Sequence, residues 1–235
     1  MIKAIKNLVT HWRRCRSNSY WSQNLKHLGT SSYVDPTVHC LGMKNVSIGN
    51  HCSVGQDTLI NVNHRESGVA LSIGDFCYIA RRNFFSTGRK IVLGDYVLTG
   101  LNNAFLGSGH VISDPTRPFI LTPTTDDGTL EVQENCWLGS LVTISGNLTI
   151  GYGSVVGANS LVLKSVPPFS LSLGSPSKVI KRYSFLRKQW VDVEEFTSDD
   201  EGSLPSRESY REMLKQNSGP IKMPHIANSI QWGNL

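Results

Sequence analysis

Between residues 132 and 167 an aliphatic residue recurs at every sixth position: Val132, Leu138, Ile144, Ile150, Val156 and Val162. The second place of these blocks is often glycine (Gly139, Gly151, Gly157), and the fifth is small or medium-sized: Cys136, Val142, Leu148, Ser154, Ser160 and Val166. A period of six is neither helical nor a simple strand alternation; it predicts a β-helix in which each short strand is followed by a turn. The first position fills the middle of a narrow prism, the fifth lets the chain turn past it, and glycine at the second is expected to supply positive φ at the corners.

The same frame runs weakly from Val34 and clearly from Ile48, breaks at residues 61–70, and resumes at Ile73 and again, after a two-residue slip, at Leu93. Residues 106–131 lose it altogether. With Gly107, Gly109, Pro115, Pro118 and Pro123, this stretch is expected to leave the prism as an excursion loop. Ahead of the frame, Ile2, Ile5, Val9 and Trp12 share one face of a helix expected over residues 2–16, whose other face is basic. After Pro167 and Pro168 the β-helix is expected to end, with Lys178, Lys181 and Arg182 on its last coil. Residues 191–202 read as an acidic linker and 206–216 as a short helix. The organisation is therefore a basic N-terminal segment (1–30), a β-helix domain (31–183) and an irregular, partly helical C-terminal extension (184–235).

Composition agrees with an all-β reading: 235 residues, 39% hydrophobic, with 21 glycines and 10 prolines. No apolar run reaches the roughly eighteen residues of a membrane span, and the N-terminus lacks the apolar core and cleavage site of a secretory signal. Three of the five cysteines (Cys52, Cys77, Cys136) occupy fifth positions and read, with Cys15 and Cys40, as reduced packing residues of a cytoplasmic protein. The net charge of +5 is uneven: residues 1–30 carry six basic and no acidic side chains, leaving the rest near −1. That segment could rest on an anionic membrane surface at the inner membrane or pack on protein. No base-reading motif accompanies it, so a nucleic-acid role is not expected.

The motifs GSGHVISDPTRPF, ENCWLGSLVTI and LGSPSKVIKR resemble those of the hexapeptide-repeat acyltransferase superfamily, whose fold is a left-handed parallel β-helix. The similarity covers residues 34–183 and is greatest to the sugar and polysaccharide O-acetyltransferases, such as the galactoside and maltose enzymes. It implies a homotrimer that binds acetyl-coenzyme A between subunits and needs no metal. His110 matches the family's general base, a role suited to an imidazole that titrates near neutrality. Its orienter is open between Asp114 and a backbone carbonyl. The Ser140 amide matches the oxyanion donor, and Trp137 the residue beside the thioester arm. The Ala158 amide matches a pantetheine contact. Lys178 and Lys181 match positions near the coenzyme's phosphates, and Lys164 is expected along the same groove. Asn83 matches an acceptor-sugar ligand, with Asp114, Asp126 and Asp127 as further polar candidates. Two departures stand out, Ser145 where relatives often carry proline and Ser177 where they carry alanine or cysteine. The implied activity is acetyl transfer to a hydroxyl of a cell-surface polysaccharide, capsule or O-antigen type, or its precursor. The rivals are transfer to a small molecule (a free sugar, a nucleotide sugar amine or an antibiotic), a metal-dependent β-helix, for which His110 lacks histidine partners, and a trimeric binding module without activity.

Overall fold

The computed structural model of the chain describes residues 17–64, 68–125 and 128–218. The helix expected over 2–16 lies outside them, as do Asp126, Asp127 and the end of the chain. Six coils of short parallel strands wind into a three-faced, left-handed prism. Face A stacks His27–Leu28, Val46–Ile48, Leu71–Ile73, Lys90–Leu93, Thr129–Val132 and Thr149–Ile150. Face B runs from Tyr33–Val34 through Trp137–Leu138 and Val155–Val156 to Ser170–Leu173, and face C from His39–Leu41 through Ala104–Leu106 and Thr143–Ser145 to Leu161–Val162. The prism thus opens at His27, ahead of the Val34 start expected from the repeat.

The first and fifth positions do what the period requires. Leu138, Ile144, Ile150 and Val156 are completely buried, Cys136 and Val162 are 1% exposed, and Val142 and Ser154 complete the same column. The second-position glycines serve a different purpose from the one expected. Gly139, Gly151 and Gly157 do not have positive φ; a Cβ on Gly139 would lie 2.6 Å from the Ala158 nitrogen, and one on Gly151 would lie 2.4 Å from the Pro168 nitrogen. Close approach of the next coil, not backbone handedness, selects glycine there. Positive φ falls instead on the fourth position, where Asn102, Asn135, Leu141 and Asn159 adopt it.

The three corners are unequal. Between faces A and B, and between B and C, every turn takes four residues; every change of length falls between C and A, where turns range from two residues (88–89) to the excursion at 107–128. The AB and BC corners therefore keep strict register from coil to coil. The two ends of the prism are closed by added elements. Helix α1 (residues 17–24) buries Trp21 with the neighbouring Leu25 against the first coil. At the other end the antiparallel strands Lys178–Ser184 and Gln189–Asp192 extend face B. Residues 191–202 are not a linker: they finish the second of these strands and form α2 (Ser198–Gly202), held by a Thr197–Asp200 capping box. Asp200 also bonds Ser184 and Arg187. Helix α3 (Arg207–Asn217), close to the span expected, lies along the AB corner, where Arg207 and Arg211 both bond Glu134.

Candidate active site

The excursion leaves face C after Leu106 and returns to face A at Thr129. Its base is closed by an antiparallel ribbon: Thr125 N–H donates to the Gly109 carbonyl at 2.8 Å, Val111 N–H to the Pro123 carbonyl at 3.0 Å, and His110 pairs with Thr124. The ribbon is braced from the preceding long CA turn, because His64 Nε2 sits 3.2 Å from the Thr125 carbonyl and 3.3 Å from Thr124 Oγ1. Nothing in the sequence marked His64 for this; the contact joins two breaks in the repeat.

His110 is exposed, and its Nδ1 lies 3.1 Å from the Thr122 carbonyl oxygen. A carbonyl can only accept, so this contact puts the proton on Nδ1 and leaves Nε2 with the lone pair, the tautomer a general base needs. The carbonyl is thus the orienter. Asp114 is not: its carboxylate accepts from Thr116 N–H at 3.0 Å and from Thr116 Oγ1–H at 2.6 Å, an Asx turn ahead of the loop tip. Those bonds, the hydroxyl's first, hold the Asp114 carboxyl below its usual range. A cleft of about 560 Å³ adjoins His110, lined by Ser108, Val111, Ile112, Ser145 and Asn147 among others.

Trp137, Ser140 and Ala158 lie elsewhere. Trp137 is half exposed on face B, and Ser140 and Ala158 occupy adjacent coils of the BC corner, joined by the Asn159 N–H to Ser140 carbonyl bond at 2.9 Å. Ser140 Oγ accepts from Leu101 N–H at 3.1 Å, so the hydroxyl is engaged with the coil above. The corner continues toward Lys178 through the Ser177 N–H to Leu161 carbonyl bond. Face C separates this corner from the His110 cleft by about five residues, roughly 15 Å, and the cleft contains none of its residues.

Three further expected ligands stand away from Ser140 and Ala158 or face inward. Lys164 follows Leu161–Val162 of face C and so stands on the CA corner, a face away from Ala158. Lys181 is paired with Asp192 at 2.9 Å on the antiparallel extension. Asn83 is 1% exposed: its amide donates to the Ala80 and Gly100 carbonyls at 2.6 and 3.1 Å and its Oδ1 accepts from Asn103 N–H. With both side-chain polar atoms engaged inside the prism, Asn83 packs between coils. Cys136 is equally unsuited to covalent chemistry, since burial pushes its thiol up to about 12. Among the described residues no cluster of histidine, cysteine or carboxylate groups could hold a metal, and no helix is long and apolar enough to cross a membrane.

No family model matches the chain. Among curated proteins it is similar to the "Putative lipopolysaccharide biosynthesis O-acetyl transferase WbbJ" of Escherichia coli K12, with 31% identity over 51% of this chain and 61% of that one. It is also similar to "Putative acetyltransferase SACOL2570" of Staphylococcus aureus COL, with 33% identity over 49% of this chain and 56% of the relative. The matches span little more than half the length of these relatives. Among solved structures, the hexapeptide-repeat acetyltransferase VCA0836 of Vibrio cholerae, in complex with acetyl-coenzyme A, matches with 26% identity and a TM-score of 0.53 over 72% of this chain and 76% of that one. The N-acyltransferase AntD of Bacillus cereus shares the fold, with a TM-score of 0.60 at 19% identity over 70% of this chain and 88% of that one.

Proposed function

We propose, from the premise that the chain belongs to the hexapeptide-repeat left-handed β-helix superfamily, that it is an acetyltransferase moving acetyl from acetyl-coenzyme A to a carbohydrate hydroxyl. The observation that carries this reading is the Nδ1 contact to the Thr122 carbonyl, which leaves His110 Nε2 basic at the mouth of a cleft. His110 Nε2 takes the proton of the acceptor hydroxyl as its oxygen attacks the thioester carbonyl. The Ser140 N–H holds the resulting oxyanion. His110 then returns the proton to the departing sulfur as the C–S bond breaks. No step needs a protein nucleophile. The exposed Trp137 and Ala158, with Lys178 beyond them, form an edge suited to an extended apolar arm ending in phosphates.

Because His110 and Ser140 lie at opposite edges of face C, one chain cannot complete this site. A second copy, presenting its BC corner to the first chain's His110 cleft, can. Such a head-to-tail contact closes into a ring, and a three-faced prism suits threefold closure. The exposed Ile112, Phe119, Ile120 and Leu121 on the excursion supply apolar surface for it. The likeness to the lipopolysaccharide O-acetyl transferase favours a cell-surface glycan or its precursor as acceptor. The test is coenzyme A thiol release with a panel of defined glycans, read with mass analysis of the product. A mass increase of one acetyl on an oxygen is expected; thiol release without acylated glycan contradicts the reading.

A further inference from the structure

Strict register at the BC corner orders its residues along the groove. Below Ser140 stands Ala158, and beyond the last coil, on the antiparallel extension, Lys178; above it stands Leu101, whose carbonyl accepts from Leu141 N–H at 2.8 Å. One coil higher again is Arg81, whose carbonyl accepts from Asn102 N–H. Arg81 and Arg82 occupy the third and fourth positions of their block, the outward part of the turn, and both are exposed. Among the described residues neither forms an ion pair with a carboxylate. The one acidic side chain on this corner above the reacting level in coils 2–4 is Asp57, exposed one coil beyond. Two coil steps of about 5 Å place Arg81 and Arg82 about 10 Å from Ser140, on the side opposite Lys178.

If the coenzyme extends from Ser140 toward Lys178, the acceptor must approach from the other direction, past the two arginines. We infer that the acceptor is an anionic glycan whose phosphate or carboxylate, about 10 Å from the hydroxyl being acetylated, is held by Arg81 and Arg82. This inference rests on the acetyl-transfer reading of the groove. Its chemistry is that of guanidinium groups, which stay charged and match the fork of two oxyanion oxygens. A neutral oligosaccharide would leave both charges solvated and gain nothing from them.

The experiment measures binding of three probes to the full chain by calorimetry: UDP-galactose, a galacturonate trisaccharide and a neutral galactose trisaccharide. The charged probes are expected to bind about tenfold more tightly than the neutral one, and the stronger of the two distinguishes phosphate from carboxylate. Arg81→Gln/Arg82→Gln should remove that advantage and leave coenzyme A affinity unchanged. In the unmodified chain, raising salt from about 50 to about 500 mM should shrink it as well, because the guanidiniums are exposed and screened. Equal affinity for all three probes, or an advantage that survives both the double variant and salt, would overturn the inference. So would loss of coenzyme A binding in the double variant, which would place the arginines on the cofactor. Coenzyme A affinity of the unmodified chain reads the premise separately: its absence removes the acetyl-transfer reading, whereas charge-blind glycan binding removes only the anionic acceptor.

Discussion

The AB and CA corners are built from the same hexads yet have opposite characters. At AB each turn takes four residues, and helix α3 covers the fifth and sixth coils. Glu134, 2% exposed, accepts from Arg207 Nε at 2.8 Å and from Arg211 Nε at 2.8 Å, and Arg207 also reaches Glu131 at 2.7 Å. Tyr210 is buried between Phe169 and Tyr152. At CA the turns vary in length, the longest carries His110 into solvent, and the contacts that hold His110 and the base of the excursion come from backbone carbonyls, threonines and His64. A turn locked in register by the coils above and below can be sealed but cannot be re-aimed. A turn released from register can place an imidazole where no hexad position would, which is why stability gathers at one corner and the proposed chemistry at another.

The contrast breaks most sharply at His110. His110→Ala should lower turnover by about 10²–10⁴-fold in the thiol-release assay while leaving the melting temperature unchanged, because the side chain is exposed and its ring touches only the Thr122 carbonyl and hydroxyl, which water can satisfy. Glu134→Ala should do the reverse. It removes the acceptor shared by two arginines and should cost about 1.5–3 kcal/mol in denaturant unfolding, with turnover of the remaining folded protein unaltered.

Acid sharpens the same comparison. Burial pushes the Glu134 carboxyl up, but hydrogen bonds from Arg207 and then Arg211 outweigh it and hold the group below its ordinary value. A carboxylate depressed in the folded state contributes stability that is complete above its unfolded value of about 4.3 and is lost as pH falls through the lower folded value. Thermal midpoints should therefore fall below about pH 4–5, and Glu134→Gln should flatten that fall. Asp200, depressed first by its Ser184 bond and then by Thr197 and Arg187, adds to the slope in the same direction and should persist in the variant. The smallest effect is expected at Asp114: Asp114→Ala removes a turn bond at an exposed loop and should change turnover by less than about twofold, where an orienting carboxylate would cost far more.

The period of six made the prism legible because inward positions tolerate only apolar or small side chains, and Val132 to Val162 obey that without exception. It also held information that a linear reading passed over. Each hexad advances one corner, so eighteen residues return to the same one: Ser140 and Ala158 share a corner, and Lys164, six residues on, cannot. The same frame, counted from Ile79, puts Asn83 at a fifth position and hence inside. Other features had no residue-level signal. The orienter of His110 is a main-chain oxygen delivered by loop closure, and His64 reaches the loop from a different break in the repeat. The role of α3 depended on which corner it lay against, and neither Arg207 nor Glu131 carries a pattern that pairs them.

The proposed reacting site joins the His110 cleft of one chain to the BC corner of another. It is tested by mixing two inactive chains, His110→Ala and Ala158→Trp, the second blocking the groove at an exposed position. After unfolding and joint refolding in equal amounts, about a quarter of the sites should pair an intact His110 with an intact BC corner, and acetyl transfer should return to about that fraction of the unmodified level. If the mixture stays as inactive as its parents while forming the same assemblies, the site lies within a single chain and not between two.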